Sequence, residues 1–187
     1  MVVGITGRKG SGKDAAGDYL IANEDYKLCK IAFPLKQAIM WLFGWVVDDI
    51  EDPIKKEQID PRWGVSPRQV MQYFGHDLLI DMGKKFPDFA EKVGTNLHIM
   101  RLEERISELN AERVVVTDVR FPGEVALIHD MGGIVGRINR PGNALNKLSN
   151  HASENYIEEL QADADIVNDS TLPDLYKKIQ DFVKTKE

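Results

Sequence analysis

The chain opens on a run of apolar and β-branched residues, Val2, Val3, Ile5 and Thr6, and then places Ala15, Ala16, Tyr19 and Leu20 at helical spacing. The first pattern predicts a short buried strand and the second a helix with one apolar side. Tyr26 to Phe33 alternates loosely and predicts a second strand, after which Pro34, at a first helical position, opens an apolar helix through Phe43. Trp41, Leu42, Phe43 and Trp45 are expected to be packing residues. Residues 48–64 mix charge with breakers (Asp48, Asp49, Glu51, Asp52, Pro53, Pro61, Gly64) and read as an exposed excursion. Ser66-Pro67 is an N-cap followed by proline at the first helical position. The Val70, Met71, Phe74 spacing then predicts a helix with Arg68 in its first turn. A further helix is expected from about Thr95 to Leu109.

The second half is more regular. Arg113 to Asp118 is a continuous apolar run ending in an acid, the pattern of a buried parallel strand, with Asp118 at its carboxyl end. Gly123 to Met131 reads as a helix that Gly132-Gly133 stops, and Ile134 to Ile138 as another strand. Asn139 to His151 is polar and turn-rich. Ala164 to Val167 is a last short strand, and Ser170 or Thr171 caps a final helix with Pro173 in its first turn. Strands alternating with helices imply an α/β fold with a parallel sheet covered on both faces, whose ligands bind beyond the carboxyl ends of the strands.

The turn between the first strand and helix carries the chemistry. It reads Gly7-Arg8-Lys9-Gly10-Ser11-Gly12-Lys13-Asp14, in which three glycines let backbone amides approach a phosphate and Lys13 reaches the β and γ phosphates. This is a P-loop in its required setting of strand, glycine turn and helix. Its last position departs from the pattern, because Asp14 stands where a Ser or Thr hydroxyl normally binds Mg²⁺. Three roles are open for Asp14: a metal-bridging carboxylate, a general base for the acceptor oxygen, or an acid favoured at a helix N-terminus. Asp118, at the same sheet edge, suits a Mg²⁺ ligand, direct or through water. Guanidinium groups stabilise a transferring phosphoryl group, and the candidates are Arg8, Arg68, Arg120, Arg137 and Arg140. Arg137 and Arg140 flank the polar 139–151 segment, where a lid could start. His76, His98, His129 and His151 show no metal-ligand spacing.

Composition narrows the partners. A chain of 187 residues with 43% hydrophobic residues suits one well-cored domain, and a net charge of −6 argues against broad binding to nucleic acid. The expected partner is small and phosphate-bearing. Cys29 is the single cysteine, so an internal disulfide is excluded. No charged n-region and apolar h-region precede the first strand, and the longest apolar stretch, Ile39 to Val47, is too short to span a bilayer. A cytoplasmic protein without membrane partners is expected.

Several separated segments resemble the bacteriophage deoxynucleoside monophosphate kinases, with animal phosphomevalonate kinase as a more distant relative. They are the Asp-ending loop Gly7 to Asp14, Ala32-Phe33-Pro34-Leu35-Lys36, Ser66-Pro67-Arg68 with Gln72 and Gly75, Thr117-Asp118-Val119-Arg120-Phe121-Pro122 with Glu124, Arg140, and His151-Ala152-Ser153-Glu154. The resemblance implies a three-layer α/β/α P-loop kinase fold over 1–187, with a mostly helical acceptor-binding insertion at 48–112 and a lid at 139–152. It implies ATP as donor, Mg²⁺ as cofactor, a deoxynucleoside monophosphate as acceptor, and a homodimer as one form of assembly. A phage-encoded kinase would work in the host cytoplasm. By the same likeness Arg68 and Arg120 grip the acceptor phosphate with Gln72, Glu124, Ser153 and Glu154 around it, while Lys13, Asp14, Arg120 and Arg140 carry the transfer. The family's Gly-Thr with a downstream Arg after the Ser-Pro-Arg helix, and its Trp before the Asp-Val-Arg strand, are replaced here by Gly75 to Asp81 and Asn96-Leu97-His98, which leaves the base-recognition end open between an altered acceptor choice and, as the lesser alternative, lost activity. Competing readings are dephospho-coenzyme A kinase or another small-molecule P-loop kinase, and a non-catalytic nucleotide-binding module. A GTPase is disfavoured because Asn146-Lys147-Leu148-Ser149 lacks the acid of the base-selecting motif.

Overall fold

A computed structural model describes residues 1–142 and 157–186. The chain divides into two compact units, one of residues Met1–Ile31 and Arg101–Glu187, the other of Ala32–Met100. The elements are β1 (Val2–Thr6), α1 (Lys13–Asn23), β2 (Lys27–Leu28), α2 (Phe33–Phe43), α3 (Val47–Glu51), α4 (Pro67–Gln72), α5 (Leu78–Lys85), α6 (Pro87–Lys92), α7 (Leu97–Glu108), β3 (Val114–Val116), α8 (Pro122–Asp130), β4 (Ile134–Asn139), β5 (Ala164–Val167) and α9 (Leu172–Lys184).

The first unit is built on a sheet of order β2-β3-β1-β4-β5 in which every pairing is parallel. The most continuous apolar runs, β1 and β3, occupy the centre and are buried along their whole length, as parallel strands require. Side chains alternate between the two faces. Val3 and Ile5 join Ala16, Leu20, Leu175, Ile179 and Phe182 on the side of α1 and α9, while Gly4 faces Ile128 of α8 on the other. Tyr19 stacks on Tyr176 at 4.7 Å and so fixes α1 against α9. Thr171 caps α9, with Asp174 completing a capping box, and Pro173 lies in the first turn, as its sequence predicts.

The expected strand over Tyr26 to Phe33 is corrected to two residues, Lys27–Leu28. The chain beyond is held by side chains from elsewhere: Arg105 Nη1 donates to Lys30 O and Asp118 Oδ1 accepts from Ile31 N. Local alternation carries no trace of such long-range partners.

The second unit is helical around Ile39, Trp45, Ile50 and Val70, with Leu35, Met40, Phe43 and Phe74 packed against them. Phe43 stacks on Trp45 at 4.6 Å. Trp41 and Leu42, expected to pack, are 85% and 64% exposed. Helical spacing explains this, because Leu35, Ile39 and Phe43 fall on one face and Trp41 on the opposite one. The 48–64 excursion is only partly exposed, since α3 inserts Ile50 into the core and Asp60 accepts from Trp45 Nε1 at 2.7 Å. A π-helical turn at Tyr73–Asp77 joins α4 to α5.

Ser66 caps α4 as predicted: its hydroxyl accepts from Gln69 N, and Gln69 Oε1 accepts from Ser66 N at 2.9 Å. Ser66 is 3% exposed, and its loss leaves the Gln69 amide without its capping acceptor. Ser66→Ala is therefore expected to cost about 1 kcal/mol, read as a lower urea midpoint at unchanged slope.

Candidate active site

Strands β3, β1 and β4 lie side by side and run parallel, so the segments that leave their carboxyl ends emerge along one edge of the sheet. These are Asp118 to Arg120 after β3, the glycine turn after β1, and Arg140 after β4. Thr6 Oγ1 donates to Val119 O at 2.8 Å and ties the first two together.

The turn is built around missing side chains. Gly7, Gly10 and Gly12 have φ of 148°, 77° and 108°. A Cβ on Gly7 would lie 2.5 Å from Ile138 O, and one on Gly12 would lie 2.7 Å from Asn168 Nδ2, so neither position admits a larger residue without displacement. Asn168 is nearly buried at the end of β5, and its amide donates to Ser11 O at 2.8 Å. Sequence reasoning missed Asn168; its only signal is a polar residue just past the carboxyl end of a strand. Lys13 Nζ donates to Arg8 O at 2.9 Å, folded back over the turn. Ser11 Oγ is buried without a hydrogen-bond partner, an orphaned polar atom in a cradle of amides. The turn thus fits the phosphates of a nucleotide.

Asp14, in the first turn of α1, is exposed, and its Oδ1 lies 3.8 Å from Lys30 Nζ. Asp118 is half-buried and accepts from Ile31 N at 2.9 Å. No group of three or more His, Cys, Asp or Glu that could hold a metal exists among the described residues. The available donors are the hard carboxylate oxygens of Asp14 and Asp118, which suit a Mg²⁺ that keeps its waters and takes the remaining oxygens from phosphates.

The arginines sort by partner. Arg8 is paired with Glu158 at 2.5 Å. Arg137 is spent on Asp165 at 3.2 Å and on Leu160 O, a structural use that removes it from the candidates. Arg120 is half-buried and Arg140 exposed, and neither makes an ion pair among the described residues. In the second unit Arg68 and Gln72 are four residues apart on α4 and share a helix face, with Arg68 Nε 4.0 Å from Glu57 Oε1. His98 bonds Gly75 O, His129 bonds Asp163 and His76 bonds Asp77, all without metal-ligand grouping. Ser153, Glu154 and His151, and most of the expected lid, lie outside the described residues.

Glu124 is 4% exposed at the third position of α8. Its Oε2 accepts from Arg120 N at 2.6 Å and Phe121 N at 3.0 Å, which caps the helix and fixes the backbone that carries Arg120. Burial pushes its carboxyl up to about 7, helped by nearby Asp118 and opposed by the two amides.

A family model described as deoxynucleotide monophosphate kinase matches residues 46–179. The chain belongs to that family. A protein of Acanthamoeba polyphaga mimivirus named "Putative deoxynucleotide monophosphate kinase" is 33% identical over 183 residues, covering 96% of this chain and 94% of that one. The kinase is also similar in fold to shikimate kinase from Aquifex aeolicus, with a TM-score of 0.54 at 13% identity over 99% of this chain and 97% of that one. Dephospho-CoA kinase from Campylobacter jejuni matches at a TM-score of 0.48 and 15% identity, covering 98% and 95%, too loosely to bear on the acceptor. The kinase is thus an ATP-dependent phosphotransferase on a P-loop α/β fold. No described helix is long and apolar enough to cross a membrane.

Because the folded state of the kinase holds the Glu124 proton more tightly than the unfolded chain does, ionising this carboxyl costs stability as pH rises from about 4.5 to about 7. Glu124→Gln keeps an acceptor for the two amides and removes the titration. Its stability relative to the native protein should improve across that window by about 3 kcal/mol, measured by urea unfolding at a series of pH values. A difference that does not vary with pH would contradict the assignment.

Proposed function

We propose that the kinase transfers the γ-phosphoryl group of ATP to a deoxynucleoside monophosphate, with the donor phosphates in the Gly7 to Gly12 turn under Lys13. The observation that carries this reading is the convergence of three neighbouring parallel strand ends, which deliver a phosphate cradle, an acid and two arginines to one sheet edge. Phosphoryl transfer needs little else from a protein than positioning and charge.

In this reading an oxygen of the acceptor's phosphate attacks the γ-phosphorus, the bond to the β-phosphate oxygen breaks, and the products are a deoxynucleoside diphosphate and ADP. Lys13, released from Arg8 O, follows the negative charge on the β and γ oxygens. Arg120 and Arg140 stabilise the charge spread over the transferring group. Asp14 and Asp118 hold Mg²⁺, which, when bound, neutralises charge on the donor phosphates. The family resemblance assigns Arg68, Gln72, Ser153 and Glu154 to acceptor binding. Glu124 contributes to that grip through the Arg120 backbone that it fixes.

Coupled ADP release with dGMP, dTMP, dCMP and dAMP as acceptors tests the reaction: turnover of ATP is expected only when one of them is present. Lys13→Ala should lower turnover by about 10² or more with the fold intact by circular dichroism. ATP binding without turnover on any acceptor would sink the kinase reading, and full turnover by Lys13→Ala would sink the role of the loop.

A further inference from the structure

Residues 29–31, between β2 and α2, have no regular secondary structure, yet their backbone is fixed from three directions. Cys29 N donates to Val115 O at 2.9 Å, Lys30 O accepts from Arg105 Nη1 at 2.6 Å, and Ile31 N donates to Asp118 Oδ1 at 2.9 Å. The side chain of Lys30 therefore starts from a defined point, and it ends 3.8 Å from Asp14 Oδ1. The two side chains are 37% and 81% exposed, so the pair adds at most about 1 kcal/mol to stability. Holding the fold together does not account for it.

Electrostatics does. Asp14 puts a full negative charge at the mouth of a turn whose other features all attract anions, and an uncompensated carboxylate there repels a triphosphate. The loop's own ammonium, on Lys13, is directed to Arg8 O. Lys30 pairs with Asp14, and the strap that presents it is held by Asp118.

We propose that Lys30 is the charge-balancing partner of Asp14: its ammonium offsets the carboxylate so that ATP can enter the glycine turn without metal. The proposal rests on the donor-site reading above. Once Mg²⁺ is present it takes over that neutralisation, and the contribution of Lys30 becomes small. Lys30 works through Asp14 and the local field and makes no bond in the transfer itself.

Charge arithmetic makes this testable. The Asp14–Lys30 pair has net charge zero in the native protein and in a Asp14→Asn/Lys30→Met double variant, negative in Lys30→Met and positive in Asp14→Asn. ATP affinity is measured by titration calorimetry on the full chain, once in EDTA and once with saturating Mg²⁺. In EDTA, Lys30→Met should weaken ATP binding about tenfold, Lys30→Arg and the double variant should restore it, and Asp14→Asn should tighten it. With Mg²⁺, Lys30→Met should stay within about threefold of the native protein. Native-like metal-free affinity in Lys30→Met, or a double variant as weak as Lys30→Met, would overturn the proposal. A Lys13→Ala control separates the two readings: undiminished ATP binding there removes the donor site itself, whereas the other results bear on Lys30 alone. Thermal unfolding of each variant confirms that the comparison is between folded proteins.

Discussion

The chain has to leave the central strand and enter its first helix through a tight glycine turn, and this requirement sets the terms for what stands around it. A turn of that shape leaves no space for Cβ atoms, as the approach of Gly7 to Ile138 O and of Gly12 to Asn168 demonstrates. It also needs rigid neighbours on both sides. β1 supplies one, buried between β3 and β4, and α1 supplies the other, stacked on α9. The residues at the neighbouring strand ends inherit their positions from this placement. Asp118 and Arg120 stand where they do because β3 pairs with β1 in parallel, and Thr6 Oγ1 then pins Val119 O to the end of the same strand.

Two carboxylates in this region carry the same formal charge and have opposite physical circumstances. Glu124 is withdrawn from water and holds its proton up to about pH 7, and its two amide bonds serve the backbone of its own chain. Asp14 is exposed beside a lysine, and solvent and ammonium share the task of offsetting it. A buried acid in Asp14's position would be costly next to a triphosphate. An exposed one, screened and paired, is tolerable. Burial is therefore what separates a positioning carboxylate from one available to a metal.

Local pattern made much of this legible from the residues alone. β1, the glycine turn, the strand ending before Asp118, the Ser66 cap and the strand Ala164–Val167 each have determinants within a few residues, and they stand where the sequence puts them. The misreadings share a different cause. Tyr26 to Phe33 looks like a strand until Arg105 and Asp118, some 75 and 87 residues away, take its backbone groups. Trp41 and Leu42 are apolar, but hydrophobicity does not say which face of α2 meets the core. Asn168 shows only a polar position just past a strand end and Lys30 nothing local, since the partners of these two side chains, Ser11 O and Asp14, are distant in sequence. Arg137 was already the weakest of the arginine candidates on paper, and its spatial neighbours Asp165 and Leu160 now set it apart from Arg120 and Arg140.

That separation bears on how an acidic chain holds a polyanion. With a net charge of −6 the long-range field disfavours any phosphate ligand, so binding has to be won within a few ångströms. Two cations near the turn are offset by acids, Arg8 by Glu158 and Lys30 by Asp14, which lowers the local charge. In the proposed donor site, attraction for phosphate then falls chiefly to backbone amides of the turn, fixed dipoles that acids elsewhere cannot neutralise. Lysine and arginine side chains add directed charge on top of that cradle. Close packing accounts for glycine at positions 7 and 12, and on the charge-balance proposal Lys30 is what makes a carboxylate at position 14 compatible with a triphosphate.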